Sequence, residues 1–551
     1  MNKTILFLAF AGCWMTACKQ KETGTDTASA DSVAIKAIND TSFAKHIAVL
    51  ASDEFKGRKP FTEGETKSIN YLKEEFSKLG LKPGNGDSFF QEVPMVEIKS
   101  TPENKMVFKG ANGEVTATYL ENFVAATKRV QSTVSIKNSP LVFAGYGIVA
   151  PEYKWNDYEG LDVKGKTVVV MINDPGFSDS TLFKGNAMTY YGRWTYKFEE
   201  AARQGAAGIL IIHDTEPAAY PWSVVRSGWA KSKLQLEEKD NNMSRAVVEG
   251  WISLDIAKQL FKLAGQPETL FKDALKKGFK AVDLKLTTSL TVNNKIKKSV
   301  SNNVVAVIPG SKRPDECLIY SAHWDHLGVG EAVKGDSIYN GAVDNATGVA
   351  ALLEIASAFQ QLKVKPERSI VFVSFTGEEQ GLLGSDYYTK HPMIPANKTV
   401  ADINMDMMGL AGKTKDIVVY GYGQSELEDY AEVSAKKQGR VIVADPVPSS
   451  GLYYRSDHFN FAKVGIPSLF TGSGVDNVIH GKEWGLKQVA DFTKNRYHSP
   501  QDNFARDTDM TGMVEDVRLL FDLGYRLSNE TTFPNWKKGS EFMAAREKSL
   551  K

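Results

Sequence analysis

Leu318-Ile319-Tyr320-Ser321-Ala322-His323-Trp324-Asp325-His326-Leu327-Gly328 carries a mostly apolar run that stops abruptly at an imidazole and a carboxylate. A buried strand with such an ending delivers its last side chains to the rim of a sheet. The pattern recurs downstream, where Ile370 to Phe375 leads into Glu378-Glu379 and Val400 to Asn404 leads into Asp406. Val304 to Ile308, Ile417 to Tyr420 and Pro467 to Phe470 are further strand candidates. Between them, Thr347 to Leu362 places Val349, Leu352, Leu353, Ala356 and Phe359 on one helical face. Continuous apolar strands alternating with amphipathic helices predict an α/β domain whose mostly parallel central sheet is flanked by helices. In such sheets ligands bind beyond the carboxyl ends of the strands, where His323, Glu378 and Asp406 fall.

Nitrogen and carboxylate donors without cysteine are what a hydrolytic zinc site uses, with a spare carboxylate left to act as general base. Asp325, two residues after His323, is placed to accept the other ring N–H or to sit behind a metal. His326 is either a rival ligand or a supporting group. Asp344 precedes the predicted helix in Val343-Asp344-Asn345-Ala346-Thr347, as an N-cap or as a carboxylate bridging two cations. Glu378 and Glu379 repel one another at a buried strand end unless cations or protons intervene. Asp406 lies among apolar neighbours and needs a partner, and His498 lies in the polar stretch Arg496-Tyr497-His498-Ser499-Pro500.

Together these segments resemble the two-zinc exopeptidase family of secreted bacterial leucyl aminopeptidases, with glutamate carboxypeptidase and the transferrin receptor as more distant relatives. The likeness runs from Leu50-Ala51-Ser52-Asp53-Glu54-Phe55-Lys56-Gly57-Arg58 to His498-Ser499-Pro500-Gln501-Asp502-Asn503. It implies two Zn2+ per chain, one held by His323 and Asp406, the other by Glu379 and His498, with Asp344 shared. It implies Glu378 as general base, with Asp325 behind His323. Ser456-Asp457-His458-Phe459 also fits the family, with Asp457 and His458 read as pocket or scaffold groups. Tyr453, Tyr454 and Arg455 just before them are candidates for lining a substrate pocket.

Residues 96–292 change to short strands and turns with a single histidine, His213, and are similar to a protease-associated insert. The expected division is therefore a signal peptide over 1–17, a flexible tether over 18–40, and an N-terminal part of the peptidase domain over 41–95. The insert over 96–292, the catalytic domain over 293–535 and a C-terminal tail over 536–551 complete it. Lys3, an apolar run from Ile5 to Ala11 and Met15-Thr16-Ala17-Cys18 resemble a bacterial lipoprotein signal, with Cys18 as the lipidated residue. An ordinary secretory signal is the alternative, and both readings export the protein to the periplasm, outer membrane or cell surface. Cys317, inside an apolar run, reads as a buried strand residue rather than a nucleophile.

Lys and Arg number 67 against 66 Asp and Glu, so no global field draws nucleic acid or an anionic membrane. The expected partners are peptides, with membrane contact only through the N-terminal lipid. The reading is a two-zinc aminopeptidase acting by attack of a metal-activated water. A carboxypeptidase or dipeptidase on the same scaffold would need Arg455 or Arg496 to hold a terminal carboxylate. A glutaminyl cyclase and a non-catalytic peptide-binding lipoprotein are more remote alternatives.

Overall fold

In the computed structural model the described residues are 32–550. The signal peptide, Cys18 and most of the predicted tether lie outside them.

The predicted α/β domain is present. Its central sheet runs in the order Lys82–Pro83, the end of Val282–Ile308, Arg368–Phe375, Arg313–His323, Thr399–Met405, Ser468–Ser473, Asp416–Tyr420 and Val441–Ala444. The four strands from Arg368–Phe375 to Ser468–Ser473 are mutually parallel, so their carboxyl ends share one edge. They are buried along nearly their whole length because both faces are covered. Leu318, Tyr320 and Ala322 pack against helices Asp40–Leu50, Glu63–Lys78, Thr347–Gln360 and Thr511–Asn529. The alternate residues Cys317 and Ile319 pack with Tyr388 and Phe461 of the short helices on the other face. Cys317 is thus the buried strand residue that its apolar context predicted.

Helix Thr347–Gln360 is apolar on nearly every side and lies within the core. The stretch Ala342–Gln360 has the length and composition to cross a membrane, but 89% of its most apolar window is buried inside this fold. Its one buried acid, Glu354, accepts the Asn39 N–H at 3.1 Å. Asn39 in turn caps helix Asp40–Leu50, its side-chain oxygen accepting the Ser42 N–H at 3.1 Å.

The domain boundaries need correction in three places. The predicted tether is helical over Ser32–Ala37, and Ala34 and Ile38, one helical turn apart, are buried in the main core. The predicted insert boundaries fall inside strands. Phe90–Pro102 and Val282–Ile308 pair without a break from Phe90↔Val304 to Pro102↔Val292, so one antiparallel ribbon carries the chain from the catalytic sheet into the insert. The insert then builds its own parallel strands, Thr133–Phe143, Thr167–Met171, Gly208–His213 and Val248–Ser253, around separate apolar cores. His213 there is buried, with its Nε2 at 3.0 Å from the Tyr220 carbonyl, a structural role.

The third correction is the tail. Trp536 is 2% exposed and its indole N–H donates to the Gly465 carbonyl at 2.9 Å. Arg546, on helix Met543–Ser549, is fully buried and donates to the Ala396 carbonyl at 3.1 Å. This segment therefore belongs to the catalytic fold. Trp536→Ala is expected to cost about 3–5 kcal/mol, the range for truncating a buried large aromatic. The measurement is the chemical denaturation of the full chain, and an unchanged midpoint would count against this packing.

Candidate metal centre

The carboxyl edge of the parallel strands gathers the predicted site. His323 closes its strand with 1% exposure. Its Nδ1 lies 3.1 Å from the Asp325 carbonyl, while the Asp325 carboxylate is farther, at 3.8 Å. The main chain, rather than the expected carboxylate, is thus the nearer acceptor for the ring N–H. That tautomer leaves the Nε2 lone pair facing inward. The Asp325 carboxylate instead accepts the Glu378 N–H at 3.0 Å, tying two strand-end loops together.

His323 Nε2 faces Asp344 Oδ1 at 3.4 Å, Asp406 Oδ1 at 3.4 Å and Glu378 Oε2 at 4.0 Å. The other Asp344 oxygen lies 3.3 Å from His498 Nε2, which is also 3.0 Å from Glu379 Oε2. Asp344 is therefore shared between two donor groups. Single donor atoms of His323, Asp344 and Asp406 lie within 4.8 Å of one another, as do those of His326, Asp344 and Glu379. His326, the rival ligand or supporting group of the sequence reading, has Nδ1 2.5 Å from Glu379 Oε1 and its buried Nε2 unpartnered among the described residues.

Local structure explains the convergence. Gly341 has φ +57, and a Cβ there would meet the Asp344 carbonyl at 2.1 Å and the His326 ring at 2.6 Å. Only glycine admits that turn. Asp502, fully buried, accepts the Val343 N–H at 3.0 Å and the Asp344 N–H at 3.0 Å, which fixes the Asp344 main chain. Ser456 donates to Asp406 Oδ2 at 2.7 Å, leaving Oδ1 directed at His323. Arg58 is fully buried and donates to the carbonyls of Leu50, Trp324, Asn340 and Gly341. Asp502, Ser456 and Arg58 all lie inside the motif segments, yet no sequence pattern assigned them these tasks. Their partners are mostly far away along the chain. The one usable signal was a charged or polar residue embedded in a motif.

The electrostatics describe a site short of positive charge. Burial raises Asp325 to about 8. Burial and repulsion from Asp406 and Glu379 push Glu378 well above the usual carboxylate range, although His323 acts the other way. Burial and Asp344 would raise Glu379, but His498 and His326 beside it hold it at about 2. Burial would lower His498, but Glu379 and Asp344 lift it to about 10. Divalent cations would relieve this repulsion, and nitrogen and oxygen donors without thiolate suit zinc.

Beside the centre lies a cavity of about 550 Å³. Glu378, Glu379, Tyr497 and His498 line it together with Tyr454 and Arg455. Tyr453 does not line it. Its ring packs edge-on to Tyr454 and His458 in an apolar cluster with Trp536 and Phe542, so its candidate pocket role is withdrawn. Asp457 and His458 are fully buried, and the His458 ring packs against Tyr453 and Phe470.

Residues 303–521 match the sequence model of peptidase family M28, a span that contains every metal-ligand candidate and Glu378. The chain is a zinc-dependent metallopeptidase that is similar to that family over this region. The peptidase is 25% identical over 464 residues to probable leucine aminopeptidase 2 of Aspergillus oryzae, covering 82% of this chain and 75% of that one. It is 28% identical over 250 residues to carboxypeptidase Q of Xenopus laevis, covering 45% of this chain and 42% of that relative. Further curated relatives are spanned over only 16% to 24% of their length. Among solved structures, the aminopeptidase from Aneurinibacillus sp. strain AM-1 aligns over 91% of this chain and 96% of that one, with 18% identity and a TM-score of 0.46.

If Asp502 positions the shared aspartate, Asp502→Ala should weaken zinc affinity by about 10–100-fold, the usual cost of losing a supporting partner. Competition with a chromogenic chelator measures this, and unchanged affinity would remove Asp502 from that role.

Proposed function

We propose that the peptidase is an aminopeptidase holding two zinc ions per chain. The observation that carries this reading is Asp344, whose two oxygens face two different histidines at 3.4 and 3.3 Å. His323, Asp344 and Asp406 would hold one ion, and Asp344, Glu379 and His498 the other. His326, at 2.5 Å from Glu379, would orient that carboxylate. Zinc, when bound there, supplies positive charge that acidifies a water and polarises the scissile carbonyl.

The remaining chemistry belongs to the chain's own residues. Glu378 is the carboxylate left over, its main chain tied to Asp325 and its proton affinity raised by burial and by its acidic neighbours. It is suited to take a proton from water and return it to the leaving amine. Asp344, Glu378, Glu379 and Asp406 crowd one side of the site, which favours a peptide's α-ammonium there over its carboxylate. Tyr454 and Arg455, on the cavity wall, would contact the peptide beyond the scissile bond. The insert is read as a protease-associated domain. The leader is read as a lipoprotein signal that anchors Cys18 in a membrane outside the cytoplasm, on the sequence of residues 1–18 alone.

Two outcomes test this reading. Glu378→Gln should retain its zinc and lower kcat by at least ~10²-fold, as expected for a lost general base; full turnover would assign the base elsewhere. Chelated protein should regain full activity with two equivalents of zinc and act on free but not N-blocked peptides. Recovery at one equivalent would exclude an obligatory pair, and cleavage of N-blocked peptides from their carboxyl end would favour the carboxypeptidase reading.

A further inference from the structure

The cavity beside Glu378, Glu379 and His498 has a second wall, and that wall comes from the insert. Arg193, Lys231 and Lys233 face it there, alongside Arg455 of the catalytic domain. Most carboxylates lining the cavity are already engaged. Glu199 pairs with Lys463 at 3.2 Å, Glu249 with Lys128 at 3.5 Å and Asp386 with Lys390 at 3.0 Å. Glu378 and Glu379 belong to the metal centre.

Arg193 and Arg455 have no carboxylate partner among the described residues. Arg193 immediately precedes helix Trp194–Arg203 and forms no ion pair with a carboxylate among the described residues. Its Nε is closed off from solvent and has no hydrogen-bond partner. Arg455 is exposed and donates from Nη2 to the Ser450 carbonyl at 2.8 Å. Burial, with repulsion from Arg455, brings Arg193 down to about 10. Two neighbouring guanidiniums, one of them partly desolvated and unpaired, make an unfavourable arrangement that an anion would relieve. The planar fork of a guanidinium matches a carboxylate in particular.

We propose that Arg193 and Arg455 form a subsite that holds a carboxylate of the bound peptide, so that the preferred substrates carry negative charge beyond the scissile bond. This rests on the aminopeptidase reading, in which the α-amine lies among the carboxylates of the metal centre. The opposite signs of the two cavity walls would then fix the direction in which a peptide lies. The insert thereby acquires a specificity role, since it supplies Arg193. The carboxylate can be the terminus of a short peptide or an acidic side chain, and the chemistry of recognition is the same.

The test uses the full zinc-loaded protein and two substrate pairs. Leu-Gly against Leu-Gly-amide isolates the terminal carboxylate, and Leu-Glu-amide against Leu-Gln-amide isolates a side-chain carboxylate. At least one anionic member should have a KM lower by about 10–100-fold, the range of a buried charge-assisted contact. Arg193→Met should bring that ratio close to one, with Arg193→Lys retaining part of it. Arg455→Met, at an exposed position, should also reduce the ratio. Ratios near one in the unaltered protein, or variants that weaken both members equally, would overturn the proposal.

Release of leucine from leucyl anilide separately tests the aminopeptidase reading. If no leucine is released, calorimetric binding of the same four peptides to Glu378→Gln protein still decides the arginine subsite. Selective loss of the anionic peptides on adding Arg193→Met would support it, and equal binding of all four would sink it.

Discussion

Mutual repulsion among Asp344, Glu378, Glu379 and Asp406 is the constraint around which the catalytic half of this protein is arranged. These groups lie at one edge because four mutually parallel strands must end on the same side, and each strand-end loop inherits that position. Gathering like charges in a buried space is unfavourable without compensation. The fold compensates partly with His323, His326 and His498 and leaves the balance to cations. It also holds the carboxylates apart by clamping their main chains. Asp502 grips the turn before Asp344, Ser456 orients Asp406, and Asp325 anchors the loop of Glu378. Each clamp fixes one oxygen or one amide, so that the free oxygens converge on common points.

Arg58 extends this logic to the surrounding loops. Its guanidinium joins the segments carrying Leu50, Trp324, Asn340 and Gly341, which otherwise share no secondary structure. Burial lowers its proton affinity to about 10, while Asp344, Asp502, Asp325 and Glu379 pull it back upward. One buried cation thus serves both as a fastening for four carbonyls and as a fixed positive charge behind the acidic centre. Removing it would leave those carbonyls without partners in a dry interior, which is costlier than never having formed the contacts.

The insert is joined to the peptidase domain by an antiparallel ribbon rather than by a loose linker. The unbroken pairing from Phe90↔Val304 to Pro102↔Val292 makes its position a consequence of strand register. A module held this way can contribute side chains to the cleft at fixed positions. Arg193 and Lys233 of the insert therefore line the same cavity as Glu378, Glu379 and His498 of the catalytic part.

The α/β class, the strands that carry His323, Glu378 and Asp406, and the helix after Asp344 were all legible from the sequence. Local apolar runs and helical spacing are short-range signals that survive without any knowledge of contacts. The catalytic-site candidates were legible for the same reason, as polar groups standing where apolar runs end. Distant pairing decided the remainder. Tyr453 and Tyr454 are chemically alike, adjacent and buried in one apolar cluster, yet only Tyr454 also borders the cavity. The segments read as tether and tail joined the core because Ala34, Ile38, Trp536 and Arg546 find partners far along the chain, 71 residues away for Trp536 and 150 for Arg546. Sequence alone determined which candidate side chains stand where apolar strands end, because composition and local pattern place His323, Glu378 and Asp406 there. Tertiary structure alone decided which oxygen faces which nitrogen, because that depends on buried hydrogen bonds between segments that no local pattern relates.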